Sequence, residues 1–154
     1  MQLASNDPIE DDHAEKIVSV PQDVSPVPEG GSPSDWMFWG VFDGHSGWTT
    51  SAKLRETLIQ YVAKELNATY KGAVRVPNAS GTTLPSPSAI DAAIKKGFVA
   101  LDTNIVQDSV AQVLKSQSKP QAANLLAPAL SGSCALLSFY DSATKTLRVA
   151  CTGD

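Results

Sequence analysis

The sequence of 154 residues predicts an α+β fold with antiparallel strands. Its predicted elements follow the order strand, strand, helix, helix, strand, strand, without an internal repeat. The connection between the first two strands is too short for a helical crossover, which favours an antiparallel pair. The last two strands flank a short turn, which is typical of a hairpin. The length suits one domain with a single core.

Two strands are predicted in the first third of the chain. Residues 13–20 alternate weakly between apolar and polar side chains, and residues 36–43 are aromatic and β-branched. The second pattern indicates a strand that is buried on at least one face. The segment between them, residues 21–35, contains four prolines and two glycines and is predicted to be a loop.

Two helices are predicted next. Residues 46–67 carry apolar side chains at helical spacing, with charged and amide side chains on the other side. Residues 68–87 are rich in Pro, Gly, Ser and Thr and are predicted to form a loop or insertion. A second helix is expected to begin at Ser88, with Asp91 completing a motif close to a capping box. Its apolar positions continue as far as Leu114.

The last third is predicted to be a linker over residues 118–131, followed by a hairpin. Residues 133–141 and 146–153 are strand-like runs on either side of the turn "SATK". Because the sequence stops where the second of these strands is predicted to end, we expect it to be a portion of a longer protein.

Composition and charge exclude several classes of function. The net charge is −4, and the Lys and Arg residues form no cluster, which excludes a nucleic-acid backbone-binding protein. The longest apolar runs are shorter than the roughly 18 residues of a membrane helix. Cys134 and Cys151 lack zinc-like spacing and lie in apolar runs, so we expect both to be structural thiols of an intracellular protein.

Acidic residues cluster where predicted strands begin or end. Glu10, Asp11 and Asp12 precede the first strand, Asp43 ends the second, and Asp154 ends the last. In an antiparallel sheet the ends of different strands meet at one edge, so carboxylates from several strands are brought together there. Mg²⁺ and Mn²⁺ prefer such oxygen ligands, and they retain several waters, so few protein ligands are needed.

Gly44 and His45 extend this pattern. Gly44 has no side chain, so its backbone can approach an ion and its carbonyl can act as a ligand. His45 would lie beside the metals and could protonate a leaving oxygen. Spacing alone leaves a structural alternative open for each residue. In these alternatives Asp43 and Gly44 would form a plain turn, and His45 would be a polar residue at the start of a helix. The remaining acidic residues would form a solvated edge or, for Asp154, a frayed end.

Three stretches of the sequence, taken together, resemble the metal-dependent protein serine/threonine phosphatases of the 2C type. "NDPIEDDHAE" resembles the acidic N-terminal motif of that family, and "VFDGHSGW" resembles its signature around Phe-Asp-Gly-His. "SGSCALLSFYDSATKTLRVACTGD" resembles its hairpin with a closing Gly-Asp. Within the family, the sequences of the first two motifs are most similar to those of the mitochondrial pyruvate dehydrogenase phosphatase branch.

The resemblance implies a set of metal ligands. Asp43 would bridge two Mg²⁺ or Mn²⁺ ions, and Glu10 and the Gly44 carbonyl would bind one of them. Asp11 would act through a water. Asp154 would match the aspartate of a third, weaker metal position.

The resemblance also implies a fold, a proton donor and a substrate. The fold would be an α-β-β-α sandwich of two antiparallel sheets flanked by helices, of which residues 1–154 would be part. His45 would be the general acid toward the leaving serine or threonine oxygen. The substrate would be a phosphoprotein, and the branch implies a pyruvate dehydrogenase subunit in the mitochondrial matrix. Because no transit peptide is evident, the cytoplasm is the alternative compartment.

Two departures from the family pattern limit these expectations. Asn6 stands where many members carry an arginine that clamps the substrate phosphate. The remaining metal-binding aspartates of the family would lie in a C-terminal half beyond this sequence, its implied partner. We therefore expect the 154-residue chain alone to be inactive or nearly so, with exposed apolar sheet faces. The alternative is a non-catalytic half-fold that serves as a binding or regulatory module.

Overall fold

The computed structural model describes residues 7–20, 24, 34–75, 84–115 and 118–153. The strands are β1 (Asp12–Ser19), β2 (Asp35–His45), β3 (Gly132–Asp141) and β4 (Thr146–Thr152). The helices are α1 (Thr49–Arg75), α2 (Pro87–Thr103), α3 (Ser109–Lys115) and α4 (Lys119–Leu126). A π-helical segment, Asn104–Asp108, joins α2 to α3, and a 3₁₀ turn, Ala127–Leu130, follows α4.

The four strands form one antiparallel sheet in the order β1-β2-β3-β4. The predicted α+β class is confirmed, and so is antiparallel pairing in both predicted strand pairs. All the strands of the described part lie in this sheet, whereas the resemblance implies two sheets. The described residues therefore provide one sheet layer with its helices.

Alternating burial along the strands directs one face of the sheet toward the helices. In β2, Trp36, Phe38 and Phe42 are buried on this face. Helix α1 contacts β1, β2 and β3. Phe38 stacks on Phe139 of β3 with ring centroids 5.2 Å apart, and Trp36 meets Tyr70 of α1 at 5.0 Å. This aromatic layer fixes α1 against the sheet.

The other face of the sheet, called here the open face, carries exposed apolar side chains. Val41 in the middle of β2 is 58% exposed. Leu136 of β3 is its direct partner in the register. Further exposed apolar residues of β1, β2 and β4 lie on the same face: Ile17, Trp39, Leu147 and Val149. The described residues leave this face uncovered, as expected for an apolar sheet face without its second layer.

Helix α1 is longer than the sequence predicts. It begins at Thr49 and continues to Arg75, so the predicted loop over residues 68–87 is wrong for residues 68–75. Residues 76–83 lie outside the described residues. The helix continues because Tyr70 is buried in the core, which outweighs the weak helix propensity of Gly72.

Helix α2 begins earlier than predicted. Its N-cap is Ser86, whose hydroxyl oxygen accepts a hydrogen bond from the Ala89 N–H at 3.2 Å, and not Ser88. Pro87 occupies the first helical position, which proline favours because its missing N–H would have no helical partner. The predicted apolar extension to Leu114 lies in α3, where Leu114 is 82% exposed.

The predicted linker over residues 118–131 is also wrong, because α4 and the 3₁₀ turn occupy it. Pro120 indicated a loop, but proline is tolerated in the first turn of a helix. Of the predicted loop over residues 21–35, residues 21–23 and 25–33 lie outside the description, and Asp35 already belongs to β2. Among the helices of the part described, none is both long and apolar enough to cross a membrane.

Candidate functional site

The segment before β1 lies against the end of β2. Asp12 pairs with Phe42 in the β1–β2 ladder, so the residues before Asp12 run past the residues after Phe42. The structure thereby brings Glu10 and Asp11 beside Gly44. We call these residues, together with Asp43 and His45, the acidic edge. Asp154 and Asn6 lie outside the described residues.

The carboxylates of Glu10 and Asp11 accept hydrogen bonds from the backbone of the turn region. The Gly47 N–H donates to Glu10 Oε1 at 2.7 Å, and the Gly44 N–H donates to Asp11 Oδ1 at 3.1 Å. Amide donors stabilise a carboxylate charge and fix its position. The chain turns after β2 through two residues of positive φ, Ser46 at 61° and Gly47 at 123°. This turn aims the Gly47 N–H at Glu10.

Gly44 is required by the close approach of Glu10. A Cβ on Gly44 would overlap the Glu10 carbonyl oxygen and would lie 2.7 Å from its carbonyl carbon. Ser51, in the first turn of α1, donates its hydroxyl to the same Glu10 carbonyl. Sequence reasoning identified Gly44 but missed Ser51 and Gly47. The sequence signal for both residues is the run of small and polar residues after His45. That run is included in the predicted helix over residues 46–67.

Asp43 lies on the open face of the sheet, and its side chain is exposed. Its partner across the β2–β3 ladder is the half-buried Cys134. The carboxylate is thus on the side of the sheet that the helices do not cover. It can accept a ligand from the solvent side.

His45 is the last residue of β2 and pairs with Gly132, the first residue of β3. Its imidazole leans across the ladder toward the Gly132 backbone. Ser131, the preceding residue, is bound to the start of α1. Its hydroxyl accepts the Thr50 N–H at 3.0 Å and lies 2.7 Å from the hydroxyls of both Thr49 and Thr50.

A cavity of about 580 Å³ opens beside His45. Ser131 and Ser133 are among its polar lining residues. Apolar residues of α2 and the π-helical segment also line it, including Leu101 and Ile105, together with Asp102. The cavity could accept an apolar group next to the histidine.

The donors of the acidic edge fit Mg²⁺ or Mn²⁺ in kind. The Asp43 and Glu10 carboxylates and the Gly44 carbonyl supply hard oxygen ligands, as these ions prefer. The Glu10 and Gly44 backbones approach each other closely, so these two predicted ligands are neighbours. However, no group of three or more His, Cys, Asp or Glu side chains that could hold a metal ion is found within residues 7–20, 24, 34–75, 84–115 and 118–153.

Two relatives match almost the whole chain. The sequence is 46% identical over 157 residues to a protein phosphatase 2C homolog of Schizosaccharomyces pombe, covering 99% of this chain and 31% of the relative. It is 44% identical over 154 residues to the mitochondrial [pyruvate dehydrogenase [acetyl-transferring]]-phosphatase 1 of Saccharomyces cerevisiae, covering 99% of this chain and 25% of the relative. The chain therefore spans a quarter to a third of these relatives. No protein-family model matches the sequence.

Proposed function

Since this chain is a homologue of the 2C-type protein phosphatases along 99% of its length, we propose that it forms part of a metal-dependent protein serine/threonine phosphatase. One observation carries the proposal beyond homology. The Glu10 segment is packed so closely on Gly44 that only glycine fits there. The predicted ligand Glu10, from the segment before β1, therefore lies beside the end of β2, which carries the predicted ligand Asp43.

The metal ligands of this proposal come from the acidic edge. Asp43 would bridge two Mg²⁺ or Mn²⁺ ions, Glu10 and the Gly44 carbonyl would hold one of them, and Asp11 would act through a water. Asp154 would serve a third position. The ions would supply activation of water for attack on phosphorus and neutralisation of phosphate charge.

The chain's own residues would orient the site and move a proton. The Gly47 N–H holds the Glu10 carboxylate in place, and the Gly44 N–H does the same for Asp11. His45 would donate its proton to the serine or threonine oxygen as the P–O bond breaks, so that the product leaves as a neutral alcohol. The cavity beside His45 could receive part of the departing peptide.

The name of the S. cerevisiae relative suggests a substrate and a compartment. We propose a phosphorylated pyruvate dehydrogenase subunit as the substrate and the mitochondrial matrix as the location. The partner within the enzyme would be the remaining two thirds or more of the relatives' length, which would supply further metal ligands.

A chimera tests the catalytic proposal. In it, this chain replaces the matching stretch of the S. cerevisiae phosphatase, and hydrolysis of a phosphoserine peptide is measured with Mn²⁺. We expect an active chimera that loses activity by about 10²-fold or more on Asp43→Asn or His45→Gln. Asp108→Asn, an exposed carboxylate of the π-helical segment, is the matched control and should keep activity.

A non-catalytic binding or regulatory module is the second candidate. The observation that favours it is the lack of a three-residue metal cluster in the described part of the chain. Calorimetric titration of Mn²⁺ into the 154-residue chain separates the two. Saturable binding that Asp43→Ala abolishes would support a metal site. No binding, together with a folded but inactive chimera, would support the module.

A further inference from the structure

The imidazole of His45 lies over the backbone of Gly132. A Cβ on Gly132 would overlap His45 Nε2 and would lie 2.8 Å from both Cδ2 and Cε1 of the ring. The two residues are direct partners across the β2–β3 ladder. The space that a side chain at position 132 would fill is therefore occupied by the histidine ring.

Packing, and not hydrogen bonding, orients this ring. Among the residues that the structure describes, the His45 imidazole makes no hydrogen bond and no ion pair. An exposed side chain without a polar partner normally samples several rotamers. A flat surface against one side of the ring limits that freedom, and the Gly132 backbone is such a surface.

The Gly132 backbone is itself held in place. The preceding residue, Ser131, accepts the Thr50 N–H and contacts two threonine hydroxyls at the start of α1. Those threonines also donate to the carbonyls of Ala127 and Pro128, at 2.7 and 2.6 Å. The surface under His45 is thus connected to the longest helix of the described chain.

We infer that Gly132 is a positioning residue for His45. Because position 132 has no side chain, the imidazole can lie across β3, and a methyl group there displaces the ring from this place. The consequence for catalysis rests on the proposed function, in which His45 is the proton donor. The orientation itself does not depend on that function.

Nuclear magnetic resonance of the 154-residue chain tests the orientation directly. The sequence has two histidines, so His45 signals are assigned with His45→Gln, and His13 serves as an internal reference. We expect nuclear Overhauser effects between the His45 ring protons and the Gly132 Hα protons in the unaltered chain. Gly132→Ala should shift the His45 ring signals and leave those of His13 unchanged. Gly72→Ala, where nothing lies within 4 Å of the new methyl group, is the matched control.

Two results would overturn the inference. One is the absence of the His45–Gly132 Overhauser effects in the unaltered chain, a measurement that needs no variant to fold. The other is a folded Gly132→Ala chain whose His45 signals match those of the parent.

The chimera then separates this inference from the proposed function. Loss of the proton donor slows a poor leaving group such as serine more than a good one such as p-nitrophenol. We expect Gly132→Ala to lower phosphoserine-peptide hydrolysis at least tenfold more than p-nitrophenyl phosphate hydrolysis, as His45→Gln should. If the Overhauser effects are present but His45→Gln leaves peptide hydrolysis unchanged, the proton-donor role fails and the positioning stands.

Discussion

The carboxylate of Glu10 accepts the backbone N–H of Gly47 at 2.7 Å, which ties the chain before β1 to the turn after β2. The same residue's carbonyl accepts the Ser51 hydroxyl from the first turn of α1. Glu10 is therefore held through both its side chain and its backbone. A predicted metal ligand fixed in this way is preorganised, which lowers the entropic cost of binding an ion.

Substitution of Gly44 should disrupt this arrangement. A methyl group in Gly44→Ala would overlap the Glu10 carbonyl and would lie 3.0 Å from the Ser51 hydroxyl. Because backbone atoms must move, we expect the free energy of unfolding to fall by about 1–3 kcal/mol. Urea denaturation measures this loss. Gly72→Ala is the control, and equal stability of the two variants would contradict the close packing.

The Gly44→Ala chain should also bind Mn²⁺ more weakly, because the Glu10 segment is displaced. Calorimetry of the two glycine variants measures this effect. Unchanged affinity in Gly44→Ala, beside a parent chain that binds saturably, would show that the Glu10 position does not contribute to the site.

Removal of the Ser131 hydroxyl should loosen the start of α1. In Ser131→Ala the Thr50 N–H loses its acceptor at 3.0 Å, and the hydroxyls of both threonines lose a contact. Since loss of a capping acceptor costs about 0.5–2 kcal/mol, we expect a destabilisation in that range by thermal or urea unfolding. Ser138→Ala, on the open face of β3, is the control and should change stability by less than about 0.5 kcal/mol.

The acidic edge could be anticipated from the sequence because its residues lie at strand ends. An antiparallel pair brings those ends together, so Glu10 and Asp43 were expected near each other once two strands were predicted. Contacts that depend on the relative placement of distant elements could not be anticipated. Gly132 under His45 is such a contact, because nothing in the local sequence marks which residue a histidine ring will cover.

The helix boundaries were missed for a different reason. Gly72 and Pro120 are weak helix formers, and local propensity indicated loops around both residues. In α1 the buried ring of Tyr70 overrides that preference, and in α4 the proline lies in the first turn, where it is tolerated. Tertiary burial and exact position within a helix decide both cases, and neither is visible in a count of turn-forming residues.

Close packing between α1 and α2 depends on Gly97. A Cβ there would lie 2.7 Å from Val62 Cα and 3.0 Å from the Val62 nitrogen, both backbone atoms of the neighbouring helix. Gly97→Ala should therefore destabilise the chain by about 1–3 kcal/mol, although alanine is the better helix former. Gly72 lies in a helix with open space around it, so Gly72→Ala should stabilise the chain by up to about 1 kcal/mol. Opposite signs for the two variants in urea unfolding are the expected result. The same sign for both would contradict the helix contact.

Alkaline pH should destabilise the chain through Tyr70. Burial raises the pKa of the Tyr70 phenol well above its ordinary value of 10.0, and the hydrogen bond to Asp141 at 2.8 Å and the charge of that residue raise it further. Above about pH 10 the unfolded chain loses this proton while the folded chain keeps it, so deprotonation favours unfolding. The stability contributed by the protonated phenol is fully present below pH 10 and falls by at most about 1.4 kcal/mol per pH unit above it. Urea unfolding between pH 8 and pH 11 measures this loss.

Tyr70→Phe should be less stable at neutral pH, because Asp141 loses a buried donor, but should show a smaller alkaline loss. Tyr61→Phe, on the same helix, should retain the alkaline loss of the parent. An equally steep loss in Tyr70→Phe would show that another group is responsible.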